Sequence, residues 1–212
     1  MAFLILTYVI IWAMREKRTQ IVLWTLATAL GLTIISLFIL PGWPLMWLRQ
    51  LVSYPSYTEI GSPLSIMLSG LPDQWALANW IVGGALLAYL FLEWVLSLGK
   101  GDAGFQWTAA LTLVVTNLIA FRTATTNFVV MFPALILIFH SWSQRWGRRG
   151  VSVVWIISFG LLAGLWWLFL VTVDGNMEAP IMYLPLPVFI LAGLIWSRWW
   201  IFSAARQPLR GF

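Results

Sequence analysis

The chain has no cysteine and only one histidine, His140. The first absence removes disulfides, thiolate metal sites, covalent haem attachment and cysteine nucleophiles together. The second leaves no histidine-rich metal site, and no Ser-His-Asp triad is read around His140. Charge is nearly as scarce, at 9% of residues, where soluble domains carry about 25%. Also missing are G-x-x-x-x-G-K, G-x-G-x-x-G and H-E-x-x-H, so no phosphate loop, dinucleotide fingerprint or zincin helix is signalled. What fills the space is apolar: 61% hydrophobic residues, 16 tryptophans and a mean hydropathy of +0.90 over 212 residues. This composition makes the chain an integral membrane protein. Its apolar segments are of helix length and lack the alternating pattern of a membrane barrel, which predicts a single all-α, polytopic bundle over residues 1–212.

The formal net charge is +5. The basic residues stand in short loops between apolar runs, so they read as orienting signals obeying the positive-inside rule and not as a nucleic-acid surface. Met1 to Met14 is apolar and is stopped by Arg15-Glu16-Lys17-Arg18. At about 1.5 Å per residue it reaches only ~20 Å, a half-length helix. It has neither the basic start nor the small-residue cleavage site of a signal peptide. Its length suggests the later part of a larger architecture or a partner-dependent subunit. Ile21–Leu40 is a full span ended by Pro41-Gly42. Trp43–Val52 reads as an interfacial amphipathic helix. Tyr54–Pro63 reads as a polar loop, and Leu64–Leu71 as a re-entrant or surface piece. Further spans are expected at Trp80–Leu98, Val151–Val173 and Ile181–Trp199, with His140–Gly150 as a basic loop and Asp174–Pro180 as an acidic turn.

Phe105–Phe139 decides the topology. It is far longer than the roughly 20 residues one crossing needs, and Arg122-Thr123-Ala124-Thr125-Thr126-Asn127 interrupts it. A helical hairpin bent at that hexad brings the expected total to about seven membrane segments, counting the half-length first helix. It also places Arg15, Lys17, Arg18, Lys100, Arg145, Arg148, Arg149, Arg198, Arg206 and Arg210 on one side, and only Arg49 and Arg122 on the other. That bias makes the first side cytoplasmic, C-terminus included, in what reads as a bacterial inner or plasma membrane. Tryptophans then form two belts, with Trp94, Trp107, Trp142, Trp146, Trp196, Trp199 and Trp200 in the inner one.

The remaining polar residues collect on the extracytoplasmic side. Arg122, between two apolar half-hairpins, costs several kcal/mol at membrane depth unless paired or wetted. It either grips an anionic group such as a lipid phosphate or snorkels to headgroups and caps a helix end. Thr123, Thr125 and Asn127 offer hydrogen bonds to a polar ligand or to backbone freed at the bend. Glu59 and Asp73 have no spacing that demands a general base or a divalent cation. Glu93, one turn inside the inner boundary, is expected to pair with Lys100. Gly160-x-x-x-Gly164 and Ala27-x-x-x-Gly31 permit close helix approach without specifying activity.

Two stretches carry a resemblance. Ser36-Leu37-Phe38-Ile39-Leu40-Pro41-Gly42-Trp43-Pro44 to Tyr57, continued by Ser62-Pro63, looks like the region after a middle transmembrane helix in family 87 glycosyltransferases, members of the GT-C superfamily. Leu118-Ile119-Ala120-Phe121-Arg122-Thr123-Ala124-Thr125-Thr126-Asn127-Phe128 to Pro133 resembles the same family's outer bend. The resemblance implies the C-terminal portion of a hexosyl- or mannosyltransferase that uses a polyprenyl-phosphate sugar at the extracytoplasmic face. It implies donor-phosphate contacts from Arg122 and Arg49, sugar or acceptor contacts from Tyr54, Tyr57 and Glu59, and no cofactor or metal. The catalytic acid of such enzymes lies in a first outer loop upstream of the matched region, so no catalytic residue is assigned. The expected partners are membrane lipids, the lipid-linked sugar donor and either a partner subunit or an N-terminal half. The competing readings are a non-catalytic scaffold or assembly subunit and, less well motivated, a transporter fragment.

The cysteine-free background allows a direct test of the hairpin. Single cysteines placed at Thr125 and Ser143 should react with a membrane-impermeant maleimide from opposite sides, and labelling from the same side refutes the hairpin.

Overall fold

The computed structural model describes residues 2–57, 61–70, 72, 77–120, 125–175 and 179–204. They form eight α-helices joined by turns and two 3-10 helices, with no strand among the described residues. The helices are α1 (Ala2–Arg15), α2 (Thr19–Ile39), α3 (Trp43–Tyr57), α4 (Pro63–Leu68), α5 (Ala78–Ser97), α6 (Gly101–Ile119), α7 (Phe132–Thr172) and α8 (Pro185–Ala204). The 3-10 helices are Thr125–Met131 and Pro180–Tyr183. Four helical stretches are long and apolar enough to cross a membrane: Thr19–Ile39, Ala78–Ser97, Asn127–Thr172 and Pro180–Phe202. That is fewer than the seven segments expected. α1 is short, α6 is diluted by Gln106, Thr108, Thr112, Thr116 and Asn117, and α7 runs helically through what the sequence suggested was a loop.

α6 is the axis of the bundle. Helices α1, α4, α5, α7 and α8 and the Thr125–Met131 segment all pack on it. Two of its three buried threonines bond back to their own helix: Thr112 Oγ1 donates to the Thr108 carbonyl at 2.7 Å, and Thr116 Oγ1 donates to that of Thr112. α8 lies along α6 and α7 closely enough that a Cβ on Gly193 would sit 2.9 Å from Ile138 Cδ1. Trp94, Trp107 and Trp142 belong to this core and not to a lipid-facing belt. Each indole N–H is satisfied across helices, with Trp94 donating to Thr112 Oγ1 at 2.9 Å, Trp107 to the Leu194 carbonyl at 3.1 Å and Trp142 to Ser197 Oγ at 3.0 Å. Trp199, by contrast, faces outward as expected of a belt.

The long helix α7 is broken at one residue. Gly147 has φ 55° and ψ −130°, a conformation that favours glycine. The chain turns there so sharply that a Cβ on Gly150 would strike the Trp142 carbonyl oxygen and lie 2.9 Å from Ser143 Cα. The basic loop expected at His140–Gly150 is therefore a one-residue reversal inside helix. Beyond it, Val153, Val154, Ile157 and Leu165 lean on the core at helical spacing. α2 behaves differently. It packs on α1 but contributes no buried residue, and Phe38 is 84% exposed. A surface of this kind suits hydrocarbon and not water.

Replacing Gly150 with alanine brings a methyl against rigid backbone. The substitution should lower stability by about 1–3 kcal/mol, outweighing the ~0.5–1 kcal/mol gain in helix propensity. Gly160→Ala, whose added Cβ meets nothing within 4 Å, should raise the midpoint or leave it unchanged. Thermal unfolding of the two variants in detergent compares them directly.

Candidate functional site

The two ends of the bundle differ in kind. At one end lie the turn after α1, the start of α6, the last turns of α5 and α8, and the Gly147 break. Side-chain pairs fix this grouping. Arg18 bonds Asp102 at 3.1 Å, Lys100 Nζ lies 4.8 Å from the centre of the Phe202 ring, and Trp146 and Trp200 approach to 5.7 Å. Asp102 occupies the first turn of α6, where the helix dipole favours a carboxylate. At the opposite end lie α4 and both 3-10 helices, packed on one another and on α6 and α8. The described cations sit almost entirely at the first end.

Of the residues singled out in the sequence, the opposite end holds Ser62-Pro63, the Thr125 backbone and Asn127. α4 begins at a capped turn, with Ser62 Oγ accepting from the Ser65 amide at 3.0 Å and Pro63 in the first helical turn. Ser62, Pro63 and Leu64 are buried, and Leu64 reaches Gly83 of α5. This stretch is thus a fixed part of the bundle and not a loosely attached surface piece. Across from it, the chain leaves α6 after Ile119 and re-enters as Thr125–Met131, whose Phe128 and Met131 are buried. Phe128 meets Tyr183 edge-on at 6.4 Å. Asn127 is half-buried at the start of this collar. Arg122, Thr123 and Glu59 lie outside the described residues, as does Asp73. Thr125 is placed by its backbone alone.

Arg49 and Tyr57 belong to α3, which runs five residues further than the amphipathic segment expected at Trp43–Val52. Arg49 is exposed, and α3 has no substantial packing against any other element among the described residues. The structure therefore sets Ser62-Pro63 and the segment after the bend at the same end of α6, linked through Pro180–Tyr183, while α3 with Arg49 has no substantial packing on either among the described residues. No group of three or more metal-ligating side chains occurs among the described residues.

One buried ionic pair was assigned to the wrong partner. Glu93 of α5 is 3% exposed and bonds Arg198 of α8 at 3.0 Å, whereas Lys100 turns to Phe202. The guanidinium also lies 5.5 Å from the Trp107 ring centre and 5.4 Å from that of Phe202, so the pair ties α5 to α8 over an aromatic floor. The signal was present in α8: Ile190, Gly193, Leu194, Ser197 and Ile201 trace one buried face that passes beside Arg198. Counting Arg198 only as an orienting charge hid it. With its partner in place the pair is neutral and does not need a substrate.

Compared with known proteins, the chain matches no family model, no curated protein and no solved structure.

Removing one member of the Glu93–Arg198 pair strands the other. Arg198→Leu should cost about 3–5 kcal/mol, and the double variant Glu93→Leu/Arg198→Leu should recover most of that loss. A double-mutant cycle of unfolding midpoints in detergent measures the coupling.

Proposed function

We propose that the chain is a GT-C-like membrane bundle whose collared end receives a polyprenyl-phosphate sugar, as part of a glycosyltransferase resembling family 87. The observation that supports the reading most is the convergence of the two motif-bearing stretches. Ser62-Pro63 at the start of α4 and the Thr125–Met131 segment meet the same end of α6, within one collar of short helices. The family resemblance rests on residues 36–57 continued by Ser62-Pro63 and on residues 118–133, of which these two pieces form part. Arg122, which follows α6 in the sequence, is the donor-phosphate contact, with Thr123, Thr125 and Asn127 bonding the polar headgroup. Arg49, Tyr57 and Glu59 contribute from α3 and the segment after it.

In this reading the bundle crosses the membrane in seven segments, with α6 spanning as a protein-surrounded helix and the two parts of α7 crossing separately. The cation-rich end is cytoplasmic and the collar extracytoplasmic. The chain supplies donor binding, and no catalytic base is assigned to it. A non-catalytic assembly subunit remains the second reading, favoured by the unpartnered surfaces of α2 and α3.

The test is donor binding. The intact protein in detergent should bind a polyprenyl-phosphate sugar, and Arg122→Ala should weaken it by about tenfold or more, the equivalent of one charge-assisted contact of 1.5–3 kcal/mol. Microscale thermophoresis reads the affinity. Equal binding by wild type and variant removes the donor site, and no binding by either favours the assembly subunit.

A further inference from the structure

The reversal at Gly147 makes a depression of about 540 Å³ lined by Trp146, Arg149 and Val153. It lies in the cation-rich end, opposite the collar. Its chemistry is divided between the apolar surfaces of Trp146 and Val153 and the cationic edge given by Arg149. Arg145 and Arg148 stand on either side of the Gly147 break, and all three arginines are exposed.

Three other cations of that end are already taken up. Arg18 is neutralised by Asp102 and Arg198 by Glu93, while Lys100 rests over Phe202. Among the described residues, no ion pair joins Arg145, Arg148 or Arg149 to a carboxylate. Between His140 and Val173 the sequence has no acidic residue at all. Arg149 therefore lines the apolar recess with no carboxylate paired to it among the described residues, and Arg145 and Arg148 are its near neighbours in the chain. The recess is also stiffly built, because Trp146 is locked among Trp142, Trp196 and Trp200 with ring centres 5.5–6.0 Å apart in its contacts with Trp142, Trp196 and Trp200 and in that between Trp142 and Trp196.

We propose that this crook of α7 binds an anionic glycerophospholipid of the surrounding leaflet. Its phosphate is held by Arg149 with Arg145 and Arg148, and one acyl chain lies over Trp146 and Val153. Guanidinium grips phosphate oxygens in a bidentate manner, and basic recesses between membrane helices favour anionic headgroups. Charge complementarity selects this occupant: a zwitterionic lipid brings a positive group to a site that already has three. The inference does not depend on the donor site at the opposite end.

Native mass spectrometry of the purified full chain, titrated with phosphatidylglycerol and with phosphatidylcholine, tests it. Phosphatidylglycerol should be retained preferentially, and Arg145→Gln, Arg148→Gln and Arg149→Gln should each reduce that preference by about fivefold. Val153→Trp, which fills the recess but keeps every charge, should also weaken retention. Helix content should stay at wild-type values in all four variants, and the unfolding midpoint should stay there in the three arginine variants. Equal retention of the two lipids, or a preference unchanged by the arginine substitutions, overturns the proposal. Displacement of the bound phosphatidylglycerol by an equimolar polyprenyl phosphate also overturns it and assigns the crook to the lipid carrier. Arg122→Ala serves as the control, since its loss acts on the donor site alone.

Discussion

The bundle depends on keeping a polar helix dry. α6 carries threonines and an asparagine where a lipid-facing span would carry leucine, and these are tolerated because other helices bury that face of it. In hydrocarbon there is no water to take up an unmet donor, so every polar group must find its partner within the protein. Two of the threonines use their own backbone, and tryptophans on α5, α6 and α7 donate across helix boundaries. The core is accordingly held by shape and by directed hydrogen bonds, since lipid supplies little hydrophobic drive between helices.

From that central helix the rest of the molecule divides into two unlike ends. Where α6 begins, charges meet charges and rings, and the guanidinium of Arg198 reaches inward to a buried carboxylate. Where α6 stops, the chain abandons long helices for short ones, and α4 with the two 3-10 segments closes the bundle like a lid seat. Orienting charge and candidate ligand chemistry are thereby kept about one membrane thickness apart.

Much of this arrangement was legible in the residues. Length and polarity pointed to a bend at residues 122–127, because a stretch as long as Phe105–Phe139 is too long for one crossing, and the structure ends α6 at Ile119 and begins α7 at Phe132. The arginine-rich run at Arg145–Arg149 misled, because basic residues near glycine read as a loop. A single positive-φ glycine achieves the same reversal with the helical hydrogen bonds nearly intact. Tryptophans misled in a similar way: their preference for interfaces says nothing of a partner hydroxyl on the neighbouring helix, so Trp94, Trp107 and Trp142 were placed outside. The Glu93 partner needed a contact 105 residues away in sequence, which no local pattern encodes. That Ser62-Pro63 and Thr125–Met131 stand at the same end of α6 required the fold.

The unburied helix α2 has a mechanical consequence. It is anchored through α1 and the tight turn at Lys17, whose φ of 58° is unusual for a side chain with a Cβ. Beyond its contact with α1, no other substantial packing holds α2 among the described residues. Such a rod behaves as a lever whose tilt follows bilayer thickness while the core stays still, and α3, carried at its far end, would travel with it.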